Sequence, residues 1–348
     1  MGLRAYIIRR ILLIIPTLIG VTLLIFAVIQ LFSPVDRVSL YVRSAQELKE
    51  ASSVDELIAK YHLNDPIVYQ YYYWITQLLQ GNLGISKAAN NVPVLEAITS
   101  SLPATIELVL YSAPITILLG IQLGVISAVH RDKIVDHATR FLSIVGWSLP
   151  TFWLGIVLIS IFYGGLGWLP PRRLDIGLEN SVIRSSQFIN YSGLYTIDSL
   201  LNGRFDIFLE SLRHLILPVI TLTTIQIALL IRIMRSSMLE TLGKGYVTTA
   251  RAKGLSSKEV INKHAKRNAL IPAVTLSGIL IAGMLTGVVI TETIFDFKGI
   301  GYYAAHAATQ LDIPGVLGFA LFTGIVFTIA NLIVDILYAY IDPRIRLG

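Results

Sequence analysis

Six runs in this 348-residue chain go about 17 residues or more without a charged side chain: residues 11–32, 108–129, 141–171, 215–231, 268–291 and 313–334. A helix needs about 17–25 mostly apolar residues to cross a hydrocarbon core of about 30 Å. In lipid the backbone must satisfy its own hydrogen bonds, so runs of this length read as α-helical spans. Only 14% of residues are charged and mean hydropathy is +0.68, too little charge for the surface of a soluble protein of this size. The expected fold class is therefore an all-α membrane protein with six transmembrane helices. The first run reads as a span and not as a cleaved leader, because no small-residue cleavage site follows it. The chain has no Cys, which excludes disulfides and thiolate metal sites.

Orientation follows from Lys and Arg. With the N-terminus inside, the inner segments carry 17 of the 28 basic residues and five of the 22 acids, and Asp335 falls within the last span. Both termini are accordingly expected to be cytoplasmic. Arg4, Arg9 and Arg10 anchor the first turns at inner headgroups, so membrane lipid is one expected partner. The net charge of +6 is explained by this asymmetry and does not call for nucleic acid.

The chain then divides as follows: 1–32, N-terminal arm and first span; 33–103, an extracellular segment; 104–171, spans two and three; 172–213, a second extracellular insertion; 214–235, span four; 236–268, a cytoplasmic loop; 269–348, spans five and six and the tail. In the first extracellular segment, "SAQELKEASSVDELIAKYHL" reads as helical. Asp65 is expected to cap a second helix that has Pro66 at its first position and Gly81 at its end. Tyr71, Trp74 and Leu78 share a face of that helix. The cluster Tyr69, Tyr71, Tyr72, Tyr73 and Trp74 reads either as a sugar-stacking platform or as packing on the outside of the bundle. The second insertion is expected to be helical at 198–202. Both insertions read either as caps on the bundle or as a platform for an external partner.

Pro16, Pro114, Pro150, Pro218, Pro272 and Pro314 fall in or at the ends of spans. Pro218 and Pro272 are expected to kink theirs. Gly120 with Gly124, and Gly283 with Gly287, give the small-xxx-small spacing that lets helices approach closely. They point to packing within the subunit or against a second transmembrane subunit.

No sequence of the form GxxxxGK[ST], HExxH or GxSxG occurs, so the chain carries no P-loop and none of these catalytic motifs. His130, Asp132, Asp136 and His137 read as a surface turn with paired charges, not as a metal site. Glu107 is expected one turn into span two, favoured by the helix N-terminus. Asn331 and Asp335 lie four apart near the inner end of span six. The sequence places no acid or acid–His relay near mid-membrane, which argues against a proton-coupled carrier.

The basic segment 232–267 contains "YVTTARAKGLSSKEV". Gly243 and Gly245 end span four. A short helix is expected over residues 246–253, with Gly254 supplying the left-handed residue that closes it. Ser256 and Glu259 form a capping box for a second helix. Val247, Ala250 and Gly254 line a slim face suited to a groove on another protein, with Arg251 and Lys253 off that face. Contact with anionic lipid is the equal alternative on these residues alone.

"YVTTARAKGLS" resembles the cytoplasmic loop of ABC importer permeases, specifically the dipeptide/oligopeptide permease family. The resemblance covers nearly the whole chain: "RRILLIIPTLIGVTLLIF", "LLQGNLGIS", "LPATIELVL", "LGWLPP", "HLILPVITL", "SSMLE", "NALIPAVT", "TETIFDFKGIG" and "NLIVDILYAYIDPRIR" occur in order. It implies a type I importer-like subunit with no enzyme activity or cofactor of its own, in a prokaryotic plasma membrane. Its implied partners are a second, homologous permease subunit, two ATPase subunits that hold ATP and Mg, and an extracellular solute-binding protein. It further implies that Tyr246, Val247, Thr248, Thr249, Ala250, Arg251, Ala252, Lys253, Gly254 and Leu255 form the segment that couples to the ATPases. The sequence departs from the family pattern at two places. Thr248, Thr249 and Ala250 stand where Glu-Ala-Ala is general, and Lys298 stands where Pro is frequent. Peptides are the expected substrate, with oligosaccharides and nickel chelates as alternatives. A receptor or an ion-coupled carrier is the rival from another class.

Overall fold

Each apolar run is helical in the computed structural model, which describes residues 3–44, 46–47, 51 and 53–341, with side chains from 7 to 336 within that range. In chain order α1 (Leu3–Ile29) is followed in the first insertion by short helical turns over Pro34–Arg37 and Val38–Leu40 and then by α2 (Val54–Lys60) and α3 (Ile67–Leu79). A two-stranded antiparallel hairpin, β1 (Ile85–Ser86) and β2 (Val92–Pro93), leads into α4 (Val94–Val129). Then come α5 (Ile134–Ser148), α6 (Thr151–Ile159), α7 (Tyr195–Leu201) and α8 (Phe205–Leu242). The chain continues through α9 (Gly245–Ala252), α10 (Lys266–Leu285), α11 (Val289–Ile294), α12 (Ile300–Thr309) and α13 (Ile313–Ile341). The C-terminal Asp342, Arg344 and Arg346 lie outside the described residues, as do parts of the first insertion at 45, 48–50 and 52.

Five of these helices are long and apolar enough to cross a membrane. The third predicted span is not one rod. It is α5 followed by α6 and a π-helical turn, Ser160–Gly165, with a bend of 97° between the halves. The cause is Pro150: the residue before a proline is pushed out of the helical region, and Leu149 sits extended at ψ 127°. Counting that pair as one broken span gives six. Arg10 near the start of α1 pairs with Asp335 near the end of α13 at 2.9 Å. The two helices are therefore antiparallel neighbours, and the side that holds the start of α1, with Arg9 and Arg10, is called here the basic side.

Parallel α4 and α8 form the centre of the bundle. Gly120 and Gly124 let them close: a Cβ at Gly120 would lie 2.7 Å from Leu230 Cδ2, and one at Gly124 would lie 2.6 Å from Met234 Cβ. This is the packing reading within the subunit. The second glycine pair is a correction. Gly283 has nothing within 4 Å of a Cβ, and Gly287 lies beyond the end of α10 at φ +100°. That conformation falls outside any helix and favours glycine, so Gly283 and Gly287 form no small-xxx-small seam within this chain. Pro218 lies inside α8 and Pro272 inside α10, and each helix is continuous through its proline.

In the first insertion, helix α3 begins at Ile67 with Pro66 in the cap position. Asp65 does not cap it but accepts or shares a proton with His62 Nδ1 at 2.8 Å. Tyr71 meets Phe26 of α1 edge-on and Trp74 packs tilted against the same ring, with ring centroids 5.2 Å and 5.8 Å away, and Tyr73 stacks on Tyr41. Packing on the bundle, not sugar stacking, accounts for these three rings.

Candidate functional site

The loop between α8 and α10 emerges on the basic side. Helix α8 ends at Gly243, Lys244 is extended, and α9 follows at once. Its C-terminus is a Schellman motif: Gly254 N–H donates to Arg251 O at 2.9 Å and Leu255 N–H to Ala250 O at 3.4 Å. Gly254 adopts φ +78°, with open space where a Cβ would stand. Glycine is needed there for its backbone conformation and not for packing. Ser256 then caps the next turn, accepting from Glu259 N–H at 3.3 Å. The predicted second helix is not separate. Ser257–Glu259, the π-helical turn Val260–Ala265 and α10 form one continuous rod. The loop thus contains one separate short helix, α9, followed after a turn by the start of span five.

The face of α9 is the reverse of the one expected. Val247 and Ala250 are buried against Val260 and Leu242 of the same chain. They weld α9 to the base of spans four and five and cannot enter a groove elsewhere. Tyr246, Thr248, Thr249, Arg251, Ala252, Lys253, Gly254 and Leu255 are exposed. The periodicity of α9 was legible, but an i, i+3 apolar pair faces the chain's own core more readily than a partner. Thr248, at the place of the expected Glu, is fully outward. Thr249 Oγ1 turns back to Gly245 O at 3.0 Å.

A buried ion pair fixes the floor from which this loop departs. Asp136 is fully buried and takes both arms of Arg235, Nε and Nη2, at 2.7 Å. Ser127 Oγ at 2.5 Å and Asp132 N–H at 3.0 Å complete its shell. The predicted surface turn is therefore half right: the charges are paired, but Asp136 is interior and its partner lies 99 residues away. The pair ties the turn between α4 and α5 to α8 two turns before the loop.

On the opposite side two buried carboxylates organise the helix breaks. Glu107 sits deep in α4, not in its first turn. It accepts from Arg173 Nε at 2.6 Å and from Thr196 N–H and Oγ1 at 2.8 Å. Its role is to clamp the second insertion onto the bundle. Glu292 of α11 is fully buried, an acid the sequence reading did not place in the interior. It accepts from Thr105 Oγ1 at 2.7 Å and from Tyr302 N–H at 2.8 Å, while Thr105 Oγ1 accepts from Ile300 N–H at 2.8 Å. The turn that carries Lys298 is thus held from both sides. Between these levels a cavity of about 270 Å³ opens where α6 begins and α10 ends, against the middle of α8.

The binding-protein-dependent transport system inner membrane component family matches residues 120–347. The dipeptide transport system permease protein of Alkalihalophilus pseudofirmus is 39% identical over 98% of this chain and 99% of its own length. The di/tripeptide transport system permease protein of Pseudomonas aeruginosa is 40% identical over 98% of each chain. The oligopeptide transport system permease protein of Bacillus subtilis is 36% identical over 98% of this chain and 99% of its own. With its apolar helices, its helix-broken bundle and these relatives at near full length, this chain belongs to the family of inner membrane components of binding-protein-dependent transport systems.

Proposed function

We propose that this chain is the permease subunit of an ATP-driven peptide importer, forming one half of the path through the membrane. The observation that carries the reading is α9: a helix closed by a Schellman motif, welded to spans four and five, with a continuous exposed face on the basic side. Positive-inside charge puts that side in the cytoplasm. Two ATPase subunits, which hold ATP and Mg, dock on the exposed face. A second permease completes the path and an external solute-binding protein delivers the substrate. Closure of the ATPases moves α9 as a rigid body, and the continuous rod through Val260–Ala265 carries the motion into α10. Pro218 and Pro272 lie in the two helices that take up this motion. Peptides are favoured over oligosaccharides and nickel chelates because the relatives are dipeptide, di/tripeptide and oligopeptide permeases.

The test is reconstitution with these partners in liposomes. Uptake of a labelled dipeptide should require ATP and the binding protein and should persist with an ionophore present. Uptake that collapses with the ionophore and ignores ATP would leave an ion-coupled carrier instead.

A further inference from the structure

Helix α8 is charge-free from residue 215 to 231, and Gln226 lies close to the middle of that run. Its side chain is half-buried and makes no hydrogen bond with any described residue. An amide held in lipid without a partner costs several kcal/mol, so a mid-membrane Gln of this kind marks a wet or ligand-bearing surface.

Gln226 lines the cavity of about 270 Å³ together with Thr151, Thr291, Leu222, Ile225 and the segment from Gly287 to Ile290. Thr291 is buried, and its Oγ1 has no hydrogen-bond partner. Two helix breaks meet here, the 97° bend before Thr151 and the left-handed Gly287 after α10. Irregular backbone at membrane depth is tolerated only where protein buries it or where it lines a water-filled path. The break at Gly287 is also fixed in place. A Cβ there would lie 2.5 Å from Gly301 N, and Gly301 is in turn beside Glu292.

We infer that this cavity is the peptide-handling wall of the translocation path, with Gln226 and Thr151 binding the backbone amides of the peptide in transit. The inference rests on the importer reading above. The chemistry selects an amide. Gln and Thr each both donate and accept, as a peptide unit does, and none of the lining residues is charged. The remaining wall, Leu222, Ile225, Val288, Val289 and Ile290, is apolar and indifferent to which side chain passes. A volume below the ~300–1,000 Å³ of a complete small-molecule site fits a half-site that a facing permease closes.

The absence of Cys makes the native chain its own background for labelling. Gln226→Cys and Thr151→Cys, each in the assembled transporter in liposomes, are treated with a charged, membrane-impermeant thiol reagent. The control is Ile19→Cys, at an exposed apolar position on α1 away from the cavity. Because the thiolate is the reactive species and needs water, both cavity positions should react roughly tenfold faster than the control. Peptide-loaded binding protein with ATP should slow them. Labelling no faster than at Ile19, for both variants, overturns the inference. Rapid labelling that peptide and ATP leave unchanged also overturns it, leaving a water pocket. A parallel uptake assay on the unmodified transporter separates the two readings: no dipeptide uptake there sinks the importer reading whatever the labelling shows.

Discussion

Replacing Val247 by Ala tests the weld that joins α9 to the rest of the chain. Val247 is fully buried, and its neighbours in the cluster are few: Ala250, Val260 and the partly buried Leu242. The change removes two methyl groups, worth about 0.8 kcal/mol each in transfer free energy. A cavity term adds to this because so small a cluster has little with which to collapse, giving about 2–3 kcal/mol in all. At about 1.4 kcal/mol per tenfold, local opening of α9 should rise by about 30- to 140-fold. The assay is amide hydrogen exchange on the permease in nanodiscs without ATPases. Amides of residues 248–255 should exchange faster by that factor, while those of α4 around Thr116 stay as they were. In the full transporter the same variant should hydrolyse more ATP per peptide moved. Unchanged exchange in α9 would refute the reasoning, since it would mean that the helix is held by something other than this cluster.

Two further outcomes follow from the charges. Arg235→Leu strands the buried Asp136 carboxylate with only Ser127 Oγ and Asp132 N–H as donors, and should cost about 3–5 kcal/mol. Thermal unfolding in detergent should show the loss, and Asp136→Asn added to Arg235→Leu should recover part of it. In the first insertion, partial burial raises the pKa of Glu47, but hydrogen bonds from Lys60, Tyr61 and the Arg43 N–H outweigh it and bring it down to about 2. A lowered carboxyl pKa contributes stability above its unfolded value of 4.5, lost as pH falls toward the folded value. Limited proteolysis of this segment should therefore be flat above about pH 5 and accelerate between about pH 4 and 2.

The spans were legible because their signal is local: length without charge settles helix and membrane together. The Schellman closure at Gly254 and the cap at Ser256 were legible for the same reason, since each depends on a few adjacent residues. Long-range pairing was not. Nothing near Asp136 in sequence names Arg235, and nothing near Glu107 names Arg173 or Thr196. Glu292 carries no local sign of burial, because its donors come from α4 and α12. The orientation of α9 was misread because Val247 and Ala250 form a stripe whose partner, Val260, is visible only after the chain has turned back. One signal was available and passed over: Gln226 is a lone amide in the middle of a charge-free run, and the cost of that placement singles it out. The 97° bend falls at Pro150, where the preceding Leu149 leaves the helical region.

The central claim is that the exposed face of α9 meets the ATPase subunits. A photo-crosslinking residue placed at Thr248, which points outward and makes no hydrogen bond through its side chain to a described residue, tests it in the assembled transporter. The account predicts a covalent adduct between this chain and an ATPase subunit, identified by mass. The same residue at Ile19 of α1 should give none. Adducts to lipid alone from Thr248 would contradict the account and return α9 to the membrane surface.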